Sequence, residues 1–311
     1  MKSMKITKTG VYIPEIKKEN KEIEKELKLE EGYIKKRTGI ETRYYLKNAE
    51  DEIDMAKRLV RNMLKGEKKD IDLIITATTT PTSIMPGISN IIQKELGIKT
   101  CIAFDILAGC SGFINAIDVA KKYIEGNTAK KALVVGIEQL SKYVDKNDIG
   151  TSIILSDGAG AILIEGTAEE KKYCSKIETT IDEKEILKTY VKDGILKLEM
   201  DGKEVYKYAV TETVKNLEEL LQKSNETLEN IKYIVPHQSN LKIIKSIANR
   251  LGTDIIDKMY VNIDKIGNTF CASIPIALDD MFKQNKLKEN DKVILIGYGG
   301  GLNTGSILLE L

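Results

Sequence analysis

The stretch that decides the fold reads CIAFDILAGCSGFINAIDVAKKYI from residue 101 to residue 124. It begins with an apolar run at residues 101–106, which predicts a buried strand. A turn bounded by Gly109 and Gly112 follows, and residues 114–124 then show the apolar spacing of a helix. A strand that leads through a glycine turn into a helix is typical of α/β proteins.

The same order of elements occurs twice along the chain. The first copy has predicted strands at residues 72–76, 101–106 and 133–136 and predicted helices at 88–96 and 114–124. The second copy has predicted strands at residues 233–235, 259–263 and 293–297 and predicted helices at 241–251 and 274–282. Equivalent positions are 160 residues apart, as in Ile74 and Ile234 or Val134 and Ile294. This repeat predicts right-handed crossovers and mostly parallel sheets.

We therefore predict an α/β protein with two similar halves, at residues 1–165 and 166–311. The charged stretch at 166–206 is interpreted as a surface excursion with strands that link the halves. Ligand sites in such folds lie at the carboxyl ends of strands. Cys110, His237 and Asn268 each follow a predicted strand, so all three are expected where the halves meet.

Composition limits the classes of partner. The 48 basic and 47 acidic residues leave a net charge of +1, which argues against general attraction to nucleic acid or to an anionic membrane. No apolar run approaches the roughly 20 residues of a membrane span, and the first residues are not those of a signal peptide. The four cysteines, at 101, 110, 174 and 271, form no Cys-x-x-Cys pair, so neither a zinc site nor a disulfide framework is expected. These features predict a cytoplasmic protein with free thiols.

Cys110 stands between a predicted strand and a predicted helix. A helix that begins near Ser111 would direct its positive end and its free N–H groups at the thiol, which is expected to lower the thiol pKa. Gly109 and Gly112 allow a tight turn and leave room for a substrate beside the sulfur. Taken alone, Cys110 fits a buried structural cysteine at least as well.

Two other segments carry donors that suit the same chemistry. His237, the only histidine, follows an apolar run, and Asn268 lies in a glycine-containing turn. A neutral His237 and the Asn268 amide would stabilise an enolate or oxyanion, and losing one such donor typically costs about 3–4 kcal/mol of barrier. Backbone N–H groups of Cys110 and of the glycine-rich turn at Gly300 would form an oxyanion hole. Each segment alone also fits a structural residue or a plain turn, but the set favours a nucleophilic site.

Together these segments resemble the 3-oxoacyl-acyl-carrier-protein synthase III family of the thiolase superfamily, over almost the whole chain. The matching pieces are Arg37-Thr38-Gly39-Ile40, the Cys110 turn, Ser156-Asp157-Gly158-Ala159-Gly160-Ala161, Pro236-His237-Gln238, Gly267-Asn268-Thr269 and Tyr298-Gly299-Gly300-Gly301. The Cys-His-Asn set differs from the Cys-His-His set of elongating synthases and from thiolases, which use a second cysteine as base. The resemblance implies a five-layered α-β-α-β-α thiolase-like fold.

The resemblance also implies a two-step reaction that initiates fatty-acid synthesis. Cys110 takes the acyl group of an acyl-CoA, and malonyl-acyl carrier protein then enters. His237 and Asn268 hold the malonyl thioester oxygen while CO₂ leaves, and the N–H groups of Cys110 and Gly300 hold the oxyanion formed on the acyl group. The product is a 3-oxoacyl-acyl carrier protein, and no metal or redox cofactor is needed.

Several residues depart from the family pattern. Tyr33 and Ile149 stand where many members place a Trp and an Arg around the CoA adenine, whereas the phosphate-binding arginine is retained as Arg37. Ile149 cannot supply a guanidinium face, and Lys203 replaces a frequent asparagine, so the acyl donor is left open between CoA and another thioester. Phe270 stands where small residues are usual and is expected to reshape the substrate pocket.

The resemblance implies two protein partners. Met85 matches a position that crosses a homodimer interface and closes the acyl pocket of the partner, and its flexible side chain leaves the chain length undecided. The acyl carrier protein is acidic in this family, and the candidate docking residues are Lys207, Lys242, Lys245 and Arg250. On a helix that begins near residue 239, Lys242 and Lys245 share one face, a pattern that also fits a solvated basic surface.

Three alternative functions remain open at this point. A specialised condensing enzyme of secondary metabolism would use the same Cys-His-Asn set with another starter or acyl donor, in keeping with Phe270 and the altered CoA site. A catalytically silent homologue would bind carrier proteins, but it would not need a thiol between two glycines. A thioester hydrolase would release a free acid and leave no stable acyl group on Cys110.

Overall fold

The computed structural model of the protein describes residues 3–47, 49–67, 70–145, 148–192, 195–252 and 254–311. The strands are β1 (Ser3–Tyr12), β2 (Ile16–Glu19), β3 (Thr42–Tyr45), β4 (Leu73–Ala77), β5 (Ile102–Ile106), β6 (Lys131–Glu138), β7 (Gly158–Thr167), β8 (Tyr173–Thr179), β9 (Leu187–Lys192), β10 (Ile195–Met200), β11 (Tyr233–Pro236), β12 (Lys292–Gly299) and β13 (Asn303–Glu310). The helices are α1 (Asn20–Glu26), α2 (Tyr33–Thr38), α3 (Glu52–Met63), α4 (Ile88–Leu96), α5 (Gly112–Glu125), α6 (Ile149–Ser152), α7 (Gly202–Ser224), α8 (Leu241–Leu251), α9 (Ile263–Ile266) and α10 (Ser273–Lys283).

The helix ends follow from capping chemistry. The side chains of Asp51, Asp201 and Asn240 accept hydrogen bonds from the first N–H groups of α3, α7 and α8. Gly97 ends α4 in the left-handed conformation that a glycine adopts without strain. The predicted helices at 88–96 and 241–251 are confirmed with the same bounds. The helices predicted at 114–124 and 274–282 are α5 and α10, each longer by one or two residues at its ends.

Two large sheets carry the fold, with strand orders β1-β7-β6-β4-β5 and β11-β12-β13-β8. β4 is parallel to β5 and β6, and β11 is parallel to β12, but the four other strand pairs described in these sheets are antiparallel. The expectation of mostly parallel sheets is therefore wrong. β7 and β13 return to their neighbours β6 and β12 without a long crossover helix, and strands joined in this way run antiparallel.

The strand predicted at residues 259–263 is also wrong. Met259 forms only an isolated bridge to β11, and α9 already begins at Ile263. Between these points the backbone bonds to the buried side chain of Gln238, which donates to the carbonyl of Tyr260 and accepts the N–H of Asn262. A side chain therefore takes the backbone groups that a neighbouring strand would have used.

The helices occupy three layers around the two sheets. Between the sheets, α5 contacts strands of both and α10 packs on β1, β7 and β11. The outer face of the first sheet is covered by α3 and α4, and that of the second sheet by α7 and α8. This arrangement confirms the five-layered α-β-α-β-α architecture that the resemblance implied.

The central layer lies very close to the first sheet. A Cβ added to Gly160 in β7 would come within 2.8 Å of the backbone N of Ile276 in α10. A Cβ added to Gly136 in β6 would come within 2.8 Å of the carbonyl oxygen of Cys271. Any larger residue at these positions would push α10 and the turn before it away from the sheet. The two glycines therefore fix the depth at which the chain after Asn268 enters the first half.

The predicted boundary between the halves, at residue 165, falls inside β7 and stays a prediction. The stretch at 166–206 contributes β8 to the second sheet, and β9 and β10 form an antiparallel hairpin of their own. Within the described ranges, no helix has the length and apolar character needed to cross a membrane.

Candidate active site

Cys110 lies in a 3₁₀ turn, Gly109–Ser111, between β5 and α5. Gly109 has a left-handed φ of +58°, and a Cβ there would come within 2.9 Å of the carbonyl oxygen of Gly300. A Cβ at Gly299 would come within 2.8 Å of Cβ and 3.0 Å of Sγ of Cys110. The two glycines therefore allow the end of β12 to lie directly against the cysteine. The sequence analysis assigned this role to Gly109 but named Gly299 only as part of a matching segment.

The Cys110 side chain is buried, and its surroundings favour the protonated thiol. Burial, followed by the nearby charge of Glu138, raises the pKa of the Cys110 thiol, and the N–H groups of Cys110 and Gly300 at the sulfur lower it by less. The expectation of a lowered thiol pKa is therefore wrong, because desolvation outweighs the stabilisation that N–H groups give to a thiolate. These two N–H groups are the pair predicted to form the oxyanion hole.

Glu138, at the end of β6, is a fully buried carboxylate that the sequence analysis missed. It accepts hydrogen bonds of 2.9–3.1 Å from Thr79, Thr80 and the Cys271 thiol. Burial raises the pKa of Glu138 to about 7. These bonds join the end of β6 to the turn that follows Asn268, so Glu138 ties two parts of the site together.

His237 directly follows β11 and is only 1% exposed. Its Nδ1 lies 2.7 Å from Oγ of Ser273, in the first turn of α10, and its ring meets the Tyr298 ring edge-on with centroids 5.4 Å apart. Burial lowers the pKa of His237 to about 3, so the imidazole is neutral at physiological pH. Burial of the His237 ring thus favours the neutral form that the sequence analysis expected.

Asn268 is held by both its backbone and its side chain. Its N–H donates to the carbonyl of Ile154 and its carbonyl accepts the N–H of Ser156, each at 2.9 Å. Its Oδ1 accepts the N–H of Phe270 at 3.0 Å. Because this bond occupies the amide oxygen, the Nδ2 hydrogens are the donors that Asn268 can offer to a ligand.

One cavity of about 400 Å³ brings the predicted residues together. Cys110, His237 and Asn268 all line it, and so do Arg37 and Phe270. The apolar side chains of its wall are Ile153, Ile154, Leu187, Leu198, Met200, Val205 and Ile243.

The β9–β10 hairpin supplies part of this wall, although its stretch of sequence was interpreted as surface. In β10, Leu198 and Met200 line the cavity, and they alternate with Lys197 and Glu199. This alternation is the sequence signal of a strand with one buried face. It would have indicated a covered face, but it could not have shown which surface the strand covers.

Tyr33, Met85 and the predicted carrier-protein docking residues lie outside the cavity lining. The Arg37 guanidinium lies 4.8 Å from the centroid of the Tyr33 ring, so one face of Tyr33 is already stacked within the same chain. Met85 is 90% exposed. The predicted docking residues Lys207, Lys242, Lys245 and Arg250 are all exposed on α7 and α8. Val205 and Ile243 of the same helices line the cavity, so these cations lie on helices that border it.

Comparison with known proteins identifies the family. The model described as 3-oxoacyl-[acyl-carrier-protein (ACP)] synthase III matches residues 104–182, and the model of the C-terminal part of that synthase matches residues 221–311. A beta-ketoacyl-[acyl-carrier-protein] synthase III from Clostridium tetani is 39% identical, over 99% of this chain and 98% of its own length. The chain belongs to the 3-oxoacyl-[acyl-carrier-protein] synthase III family.

Relatives and solved structures agree with this membership of the synthase III family. A beta-ketoacyl-[acyl-carrier-protein] synthase III from Clostridium novyi is 38% identical, over 100% of this chain and 99% of its own length. The crystal structure of 3-oxoacyl-[acyl-carrier-protein] synthase III from Aquifex aeolicus VF5 matches with a TM-score of 0.93 at 35% identity, over 99% of this chain and 100% of that one. The resemblance found in the sequence is confirmed, and the chain is an acyl-transferring condensing enzyme with a thiolase-like fold.

The raised pKa of Cys110 predicts how its alkylation depends on pH. Since only the thiolate reacts, the rate of labelling of Cys110 by iodoacetamide should increase about tenfold for each pH unit from pH 7 to pH 9, without a plateau. Glu138→Gln removes a negative charge near the sulfur and should increase the rate at pH 8. Peptide mass spectrometry would separate Cys110 from the partly exposed Cys101 and Cys174. A plateau in the labelling rate at any pH up to 9 would contradict the raised pKa.

Proposed function

We propose that this enzyme condenses an acyl thioester with malonyl-acyl carrier protein, with loss of CO₂, to give a 3-oxoacyl-acyl carrier protein, and so initiates fatty-acid synthesis. The observation that carries this proposal is that Cys110, His237 and Asn268 line one cavity in a chain of the synthase III family. A protein that only binds carrier proteins would have no use for a buried thiol beside two directed N–H groups.

In the first step Cys110 is the nucleophile. Its sulfur attacks the acyl carbonyl, and the N–H groups of Cys110 and Gly300 hold the resulting oxyanion. The bond between the carbonyl carbon and the donor sulfur then breaks, and the donor leaves as a thiol with the proton from Cys110. The raised thiol pKa implies that this proton is transferred during the attack, since little thiolate stands ready beforehand.

In the second step His237 and Asn268 act on the malonyl group. The neutral imidazole donates from Nε2 and the amide donates from Nδ2 to the malonyl thioester oxygen. The electron pair released with CO₂ is then held as an enolate. The enolate carbon attacks the acyl carbonyl on Cys110, and Cys110 leaves as a thiolate that regains a proton from solvent. Every group in this sequence is a side chain or backbone N–H, so we expect activity to be unaffected by a chelator.

Substitutions at Cys110 and His237 test these roles. Purified protein would be incubated with acyl-CoAs from acetyl to octanoyl, including branched chains, and its intact mass measured. The wild type should gain one acyl group, mapped to Cys110, and Cys110→Ser should gain none. His237→Ala should lose about a hundredfold or more in malonyl decarboxylation and less than about tenfold in acylation. Equal losses in both steps would refute this division of labour.

We propose that Phe270 restricts the acyl site to a short or branched starter. Phe270 has a left-handed φ of +45°, is 7% exposed and belongs to the same apolar cluster as Cys110 and Ile154. A bulky residue with this backbone conformation is rare and is kept only where its surroundings hold it. In the acyl-CoA panel, Phe270→Ala should extend labelling to longer chains. An unchanged chain-length profile would exclude Phe270 as a wall of the acyl site.

The donor site differs from the arrangement usual in the family. Arg37 of α2 stacks on Tyr33 and also lines the cavity, and Lys203 of α7 lines the same cavity. We propose that these two cations hold the phosphates of CoA and that Tyr33 contributes stacking without an arginine at Ile149. If no acyl-CoA labels Cys110 while iodoacetamide still does, the donor is another thioester and the specialised alternative is favoured.

We propose that an acidic carrier protein docks on α7 and α8 beside the cavity. Among the described residues, no ion pair is found for Lys207, Lys242 or Lys245, so their charges are available to a partner. Reversing Lys242 and Lys245 to Glu should raise KM for malonyl-acyl carrier protein about tenfold and leave acylation by acyl-CoA unchanged. The matched control changes Lys94 and Lys99 to Glu. These two lysines are exposed in and just after α4, on the outer face of the first sheet. Equal effects of both pairs would refute the docking surface.

We propose that the enzyme is a homodimer in the cytoplasm. β5 is an edge of the first sheet, and Ile84, Met85 and Leu107 beside it are 91%, 90% and 70% exposed. An exposed strand edge next to an apolar patch invites a second copy. Sedimentation should give a dimer, and Ile84→Asp with Met85→Asp should give a monomer. The control Ile181→Asp changes another exposed side chain, of 78% exposure. A monomeric wild type would contradict this proposal.

A further inference from the structure

Ser273 makes a contact with His237 that the sequence did not reveal. It occupies the first position of α10 and is 2% exposed. Its Oγ lies 2.7 Å from Nδ1 of His237 and 3.3 Å from the backbone N of Gln238. The Ser273 hydroxyl therefore lies between the His237 ring and the backbone N–H of Gln238.

The hydrogen-bonding capacity of these groups decides the direction of each bond. The N–H of Gln238 can only donate, so the Ser273 oxygen accepts from it. Among the described residues, the one acceptor recorded near the Ser273 hydroxyl hydrogen is Nδ1 of His237. If Nδ1 instead carried the proton, the hydroxyl hydrogen would be buried without a partner, a loss that corresponds to about tenfold or more in the tautomer ratio.

The backbone that presents this N–H is itself fixed. The Gln238 amide donates to the carbonyls of Pro236 and Tyr260, at 2.8 and 3.0 Å, and its oxygen accepts the N–H of Asn262 at 3.1 Å. Both polar atoms of the Gln238 side chain thus have backbone partners. This arrangement holds the Gln238 N–H toward Ser273 and prevents the loop from turning away.

We propose that Ser273 is the positioning residue that holds His237 in the tautomer with the proton on Nε2. In this arrangement the Gln238 N–H polarises the Ser273 hydroxyl, which donates to Nδ1, and Nε2–H is left as the donor directed to a ligand. The ring carries no net charge, so its ability to donate depends on which nitrogen holds the proton. The expected effect of Ser273 on malonyl decarboxylation rests on the proposed function. The tautomer of His237 can be measured whether or not the enzyme has that activity.

The single histidine makes the tautomer directly measurable. Protein without a histidine tag and labelled with ¹⁵N-histidine gives ring signals from His237 alone. The wild type should show one protonated nitrogen, assigned to Nε2, and one unprotonated Nδ1 at pH 7. Ser273→Ala should shift both signals toward a mixture of tautomers. It should also slow malonyl decarboxylation about tenfold to a hundredfold, with acylation of Cys110 changed less than about threefold.

Two further variants separate positioning from general loss of packing. Ser273→Thr keeps the hydroxyl and should retain the wild-type tautomer. Ser306→Ala removes another fully buried hydroxyl, bonded to Asn216 in the second sheet, and should change neither the tautomer nor the ratio of the two half-reactions. A wild-type spectrum with the proton on Nδ1, or a Ser273→Ala spectrum identical to wild type, would overturn the inference. Failure of the wild type to acylate Cys110 would instead overturn the proposed function and leave the tautomer result standing.

Discussion

The end of β12 leaves no space for a side chain against the Cys110 turn, and the site depends on this contact. A Cβ at Gly299 would overlap Cβ and Sγ of Cys110, and one at Gly109 would overlap the Gly300 carbonyl. The close approach brings the N–H of Gly300, from the second half, to the sulfur from the first half. The proposed oxyanion hole therefore depends on two backbones from distant parts of the chain that meet without side chains between them.

Burial of Cys110 and His237 sets the chemistry that the site can perform. The thiol of Cys110 and the ring of His237 both lie where burial opposes charge, so the resting site holds a neutral thiol and a neutral imidazole. A neutral imidazole carries no fixed positive charge, so in the proposed reaction His237 acts as an oriented hydrogen-bond donor. Fixed donors in a dry site are worth more than the same donors in water, because they need not reorganise when charge develops. The buried hydroxyl of Ser273 is another neutral group of this site, and it bonds to the His237 ring.

Much of the fold and the three central site residues could be predicted from the sequence, because their signals are local. Residues 88–96 and 241–251 have helical apolar spacing and end at Gly97 and Gly252, and the structure places both helices at these bounds. The prediction of a strand at residues 259–263 was wrong because the buried Gln238 side chain bonds to the backbone of Tyr260 and Asn262. No local sequence pattern indicates such a partner. Glu138 and the β9–β10 hairpin were missed for the same reason, since their roles depend on contacts with residues far along the chain.

The sequence by itself determined which residues have the chemistry for a thioester condensation, because side-chain type and the strand–turn–helix pattern are local properties. It also determined the repeat, since equivalent elements recur 160 positions apart. Only the tertiary structure decided the protonation of Cys110 and His237, because desolvation depends on every group packed around an atom. It alone decided that Ser273 bonds to His237 and that the Gln238 N–H donates to Ser273, because hydrogen-bond partners are set by distances in space and not along the chain.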